Sequence, residues 1–284
     1  MKKAIGIGLL AVLLLTVTTL GWSGSGGNDL SKGITVVSRE AGSGTRGAFV
    51  ELLGIEQDGV DLTTLEATIS NSTSVVMMSV AGDEAAIGYI SLGSLNDTVK
   101  AVSIDGAAAT IENVKKGSYK IARPFNIATK GETSELAKDF IDFIMSKEGQ
   151  EVVEASGYIS VAGEEPYQGT KPSGRIVVGG SSSVTPVMEK LREAYLELNP
   201  NAAIEIQLSD STTGMTSTIN GIIDIGMASR ALKEAELAQL DATVMAMDGI
   251  AVIVNNDNPV EGLTSQQVRD IYLGEIIDWK EILD

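Results

Sequence analysis

Val36-Val37-Ser38-Arg39-Glu40-Ala41-Gly42-Ser43-Gly44-Thr45-Arg46 runs from a β-branched strand, through small hydroxyl residues, into a segment striped with Ala48, Phe49, Leu52 and Leu53. A strand that turns through Gly and Ser straight into a helix lets backbone N–H groups approach an anion closely, with the positive end of the helix dipole behind them. Arg39, on the strand side, adds a guanidinium able to clamp an oxyanion through two parallel hydrogen bonds. Taken alone, the stretch is equally an ordinary glycine turn before a helix.

Two further segments repeat it. Gly179-Gly180-Ser181-Ser182-Ser183-Val184-Thr185-Pro186 follows the apolar run Ile176-Val177-Val178 and leads into Val187, Leu191, Ala194, Tyr195 and Leu198 at helical spacing. Ser at the cap, Pro in the first turn and a stop at Asn199-Pro200 are start and end marks of a helix. Ser209-Asp210-Ser211-Thr212-Thr213-Gly214 follows the alternating strand Ile204-Glu205-Ile206-Gln207 and again leads towards a helix. Each Ser/Thr run could cap its own helix and do nothing else. Three such loops in one chain, rich in donors and poor in bulk, favour a shared small anion. Elsewhere, strand patterns at 34–37, 86–90, 176–178, 204–207 and 250–254 alternate with helical patterns at 48–53, 134–155, 186–198 and 264–272. This alternation predicts an α/β fold with largely buried sheets. Thr264-Ser265-Gln266-Gln267 has the spacing of a capping box.

The segments GGSSSVTPVMEKL, DIGMASRALK, DGIAVIVNNDNPV, LTSQQVRDIYLGEIIDWKE and VVSREAGSGTRGAFVE together resemble the extracytoplasmic phosphate-binding proteins that serve bacterial ABC phosphate importers. The resemblance extends over nearly all of the chain after about residue 32. It implies an α/β, two-lobe periplasmic-binding-protein-like fold in which the chain crosses twice between lobes and the anion lies in the cleft. In that family the GSSSVTP segment comes near the mature N-terminus and the SREAGSGTR segment mid-chain; here the order is reversed. The simplest reading is a circular permutation, with a segment of a tandem array as the rival. Crossings are then expected near 119–124 and 250–254. One lobe comprises 33–118 plus 252–284. The other comprises 119–251 and contains a Gly-, Pro- and polar-rich linker, 162–174, joining the family's usual termini.

By resemblance, the first-loop contacts fall on Ser182 and Ser183, with the Val184 N–H as a further donor, and the second-loop serine on Ser211. The arginine, serine, glycine N–H and threonine of the GSGT motif fall on Arg39, Ser43, Gly44 and Thr45. Ser229 precedes Arg230, where better-known members carry an aspartate that accepts the phosphate proton. Phosphate near neutral pH always brings an O–H to be accepted, whereas sulfate brings none. An unmatched donor or acceptor costs about 1–3 kcal/mol. Asp210 is the candidate substitute acceptor and Asp248 a weaker one; the competing reading of Asp210 is a turn residue bonding its own backbone.

At 284 residues, 43% hydrophobic, the chain has material for two cores. Its formal charge of −17 argues against nucleic acid and acidic membranes as partners. That charge does not exclude an anion site, because surface charge is screened over ~8 Å whereas a buried cradle acts at contact. With no Cys and no His, thiol or imidazole catalysis and the commoner zinc sites are ruled out. No cofactor and no metal are expected. Met1-Lys2-Lys3 followed by an apolar run to Leu20 reads as an export signal, 1–22, with a flexible tether at 23–32. A transmembrane anchor competes, but the run is short for a span of ~20 residues. Trp22 stands where a lipidated Cys is found in bacterial lipoproteins, which would remove a lipid anchor.

The resemblance therefore implies a monomeric receptor, in the periplasm or at the outer face of the cell membrane, that passes inorganic phosphate to the membrane permease of an ABC importer. A receptor for sulfate or molybdate is the nearest alternative. A secreted phosphoester hydrolase is a more distant one, since Ser43 lacks an activating base.

Overall fold

Helix starts in this chain are marked by hydroxyls and carboxylates three residues ahead of the N–H they accept. Ser43 accepts from Arg46, Ser72 from Val75, Asp210 from Thr213 and Thr264 from Gln267, the last with the reciprocal Gln267 bond of a capping box. The computed structural model describes residues 33–283; the expected signal and tether, with Trp22, lie outside the described residues.

Eight strands form the path of the main sheet, in the order Ala202–Ser209, Gly174–Ser181, Ile225–Ala228, Ala122–Thr129, Asp241–Val254, Ala86–Ser91, Thr35–Arg39, Thr68–Ser70. The strands at each end of this order are parallel, and the central ones antiparallel. The 14-residue strand Asp241–Val254 serves both ends. Its first part pairs with Ala122–Thr129, from Asp241 opposite Thr129 to Gly249 opposite Ala122, and its last part, from Ile250, pairs with Ala86–Ser91. Only 250–254 reads as a strand in the sequence. The preceding half is bulged between Val244 and Ala246 and lacks clean alternation.

Two cores flank this exchange. One gathers Phe49, Tyr89, Tyr272 and Trp279 from residues 34–121 and 250–282, with the Phe49 and Tyr89 rings stacked 3.9 Å apart. The other gathers Phe125, Phe140, Phe143, Met188 and Tyr195 from residues 125–246. The chain passes between them at two adjacent points, where the Ile250 N–H donates to the Ile121 carbonyl at 2.8 Å.

Two local expectations are corrected. The single helix expected over 134–155 is two, Glu135–Met145 and Lys147–Ala155. Ser146 breaks it: its hydroxyl donates to the Phe143 carbonyl at 2.7 Å and accepts the Gly149 N–H. The Thr185–Leu198 helix has Pro186 in its first turn and ends at Asn199, but its N-cap is Val184 and no serine side chain caps it. The 162–174 linker is strapped down. Its Glu165 carbonyl accepts from Lys147, Tyr167 donates to Glu148 and Asp139, Thr170 to Asp139, and the Pro172 carbonyl accepts from Asn199.

Candidate functional site

Four helices begin around one place: Gly44–Leu52 and Thr73–Ala81 from one half, Thr185–Leu198 and Ser211–Ile219 from the other. The first-turn N–H groups of a helix have no carbonyl within it to bond, so such convergence concentrates donors and positive dipole ends. Hydroxyls fill the space between. Thr45 Oγ1 lies 2.8 Å from Ser183 Oγ, Thr73 Oγ1 lies 3.1 Å from the same atom, and Ser229 Oγ lies 3.4 Å from Ser211 Oγ and 2.9 Å from Ser181 Oγ. All of these residues are buried. Gly44 is required by crowding: a Cβ there would overlap Ser211 Oγ and sit 2.8 Å from Ser229 Oγ.

Arg39 supplies the charge and is 2% exposed. Glu40 holds one edge of its guanidinium, through Nε at 2.8 Å and Nη2 at 2.7 Å, and Nη2 also donates to Ser182 Oγ at 3.1 Å. Nη1 is buried and finds no partner among the described residues. The halves are tied together at this level by the Thr212 N–H on the Gly42 carbonyl, 3.1 Å. A cavity of about 300 Å³ adjoins the cluster, lined by Ser72, Thr73, Met77, Ser94, Ser182 and Leu208 among others. A larger cavity, about 670 Å³, is lined in part by the strap and shares no residue with the cluster.

The structure thus brings together Arg39, Ser43, Gly44, Thr45, Ser182, Ser183, Ser211 and Ser229. Ser43 acts there as the helix cap. The Val184 N–H closes a turn on the Ser181 carbonyl at 3.1 Å. Asp210 caps the Ser211–Ile219 helix with both oxygens engaged, Oδ1 by the Thr213 N–H at 2.8 Å and Oδ2 by the Thr213 hydroxyl at 2.6 Å. The geometry therefore favours the turn-residue reading of Asp210. Arg230 makes a bidentate pair with Glu236, 2.8 Å at each contact, within one half. Burial opposes ionisation of Glu236, but Arg230 and the Lys233 N–H outweigh it and hold its carboxyl below the ordinary value.

Asp248 faces Arg123 across the paired strands, fully buried, with Nη2 3.2 Å from Oδ2, while Arg123 Nη1 donates to the Ser229 carbonyl at 3.0 Å. Burial pushes the Asp248 carboxyl up against the pull of Arg123. This pair stands behind Ser229 and buttresses it. The sequence reading missed Thr73, Glu40 and Arg123. Thr73 was legible, since Asn71-Ser72-Thr73-Ser74 repeats the hydroxyl run of the other loops; Arg123 was not, because only strand pairing places it.

Chemically, the cluster offers hydroxyl and N–H donors plus one guanidinium. Its neighbouring carboxylates, Glu40, Asp210 and Asp248, are engaged by Arg39, Thr213 and Arg123. Among the described residues no base is placed to activate a serine, and tetrahedral-oxyanion binding is what the donors fit.

Comparison with known proteins agrees. Residues 21–148 and 163–284 match the PBP superfamily domain. A Streptococcus agalactiae serotype V protein named Phosphate-binding protein PstS 2 is 52% identical over 291 residues, covering 99% of each chain. The crystal structure of a phosphate ABC transporter, phosphate-binding protein from Streptococcus pneumoniae is 45% identical, with a TM-score of 0.71 over 88% of this chain and 99% of that one. A Bacillus subtilis protein named Phosphate-binding protein PstS is 37% identical over 142 residues, which cover 49% of this chain and 45% of that protein.

Proposed function

Because this chain belongs to the PBP superfamily and, within it, to the phosphate-binding proteins of ABC transporters, we propose that it binds inorganic phosphate between its two halves outside the cytoplasm and delivers it to the membrane permease of an ABC importer. The observation that carries this reading is the buried guanidinium of Arg39, with Nη1 unpartnered among the described residues, set among hydroxyls from both halves. Ser43, Gly44 and Thr45 present the anion to one half, and Ser182, Ser183, Ser211 and Ser229 to the other. Binding, not catalysis, is the activity, because the carboxylates nearest the serines are already paired. Binding draws the halves together by hinge movement at the two crossing strands, and the importer reads the closed form. The order of the motifs reads as a circular permutation of the order in the family that the segments resemble. In keeping with this, the match to the Bacillus subtilis protein spans under half of either chain.

Calorimetric titration with phosphate and sulfate tests the reading. Wild-type protein binds phosphate in preference to sulfate. Arg39→Ala weakens phosphate by ~3 kcal/mol or more, roughly a hundredfold, through loss of one partner of a buried charged pair. Absence of phosphate binding by the wild type, or wild-type affinity in the variant, rejects the reading or removes Arg39 from it.

A further inference from the structure

We propose that Thr73 is a direct ligand of the anion, which makes the site a four-loop cradle rather than a three-loop one; the proposal rests on the phosphate reading above. Thr73 is 5% exposed and opens the nine-residue Thr73–Ala81 helix, so the anion meets a fourth helix N-terminus. Its Oγ1 lies 3.1 Å from Ser183 Oγ and 3.5 Å from Ser182 Oγ, across the boundary between the halves. Ser182 Oγ in turn accepts from Arg39 Nη2, so Thr73 reaches the same hydroxyl as the guanidinium whose buried Nη1 finds no partner among the described residues. An anion held by Arg39, Ser182 and Ser183 therefore lies within reach of Thr73.

The ordinary explanation of a threonine at a helix start is capping, and here that role is taken by its neighbour. Ser72 is the N-cap, its hydroxyl accepting the Val75 N–H at 3.3 Å. The Thr73 hydroxyl makes no bond to its own helix among the described contacts; its partners are the two serines of the opposite half. A hydroxyl both donates and accepts, so at this position it suits an anion that arrives with either one or two of its oxygens protonated. This matters because the carboxylates near the site are engaged elsewhere.

Thr73→Val keeps the shape and removes the hydroxyl, while Thr73→Ser keeps the hydroxyl. Calorimetric titration with inorganic phosphate should show Thr73→Val weakened tenfold or more, as for loss of a hydrogen bond to a charged group, and Thr73→Ser within about threefold of wild type. Thermal midpoints measured without phosphate should stay together, since the Ser72 cap is intact in all three proteins. If Thr73→Val misfolds, the same comparison is made with Thr73→Ala. A hydroxyl-free variant that folds and binds phosphate within twofold of wild type overturns the assignment. Failure of the wild type to bind phosphate would instead sink the parent reading, so the two failures are distinguishable.

Discussion

Asp210 shows how a side chain's chemistry is settled by its neighbours. A carboxylate beside an anion site could accept a phosphate proton, yet its two oxygens bond the backbone and hydroxyl of Thr213. Asparagine can reproduce both contacts, the amide oxygen accepting from the N–H and the amide nitrogen donating to the hydroxyl. Asp210→Asn is therefore expected to leave both stability and the phosphate-to-sulfate affinity ratio nearly unchanged. Asp210→Ala should lose ~1 kcal/mol of stability, again with little change in the ratio. Denaturant unfolding and paired titrations check both, and a ratio that collapses in Asp210→Asn would return the proton-accepting role to this carboxylate. Arg39 is subject to the same rule. Glu40 fixes one edge of the guanidinium and leaves the other end for the cleft.

At the level of elements, the strap over 162–174 is organised by one carboxylate. Asp139 is 5% exposed and accepts from Thr170 at 2.8 Å, Tyr195 at 2.6 Å and Tyr167. Burial opposes its ionisation, but the bonds from Tyr167, Tyr195 and the Thr170 and Lys171 N–H groups prevail and hold its carboxyl below the ordinary value. Burial and then the Asp139 carboxylate push the Tyr195 hydroxyl up to about 12. Since the folded value of Asp139 is depressed, the stability it contributes is complete above the unfolded value near 3.9 and is lost as the pH falls through the folded one. The difference in thermal midpoint between wild type and Asp139→Asn should be full at neutral pH and shrink below about pH 4. A difference that persists undiminished at pH 3 would show that Asp139 contributes through packing alone.

For the whole molecule, the decisive fact is that the first and last described segments adjoin: the Ile34 N–H donates to the Ile277 carbonyl at 2.7 Å. Trp279, fully buried, donates its indole N–H to the Ala85 carbonyl at 2.9 Å, so the C-terminal segment is built into the core beside the first strand. Ends that meet at a surface can be joined, and the chain opened elsewhere, with the fold kept. A chain rejoined from Asp284 to Lys32 and opened within 162–174 should fold and bind phosphate like the parent, losing only the strap's contribution. Circular dichroism melting and titration test this. A rejoined chain that fails to fold, beside a parent that is monomeric and binds, would count against the permutation.

By itself the sequence determined the strand–turn–helix units, the hydroxyl loops and the capping box at Thr264, because these are local: a cap and its N–H are three residues apart. It did not mark Asp241–Gly249 as the strand that carries the chain between halves. Nor could it bring Thr73 to Ser183, 110 positions away, or Arg123 to Asp248, 125 positions away. Those contacts were decided by tertiary structure alone, since they depend on the order of strands in the sheet and on two adjacent crossings, and no local spacing encodes either.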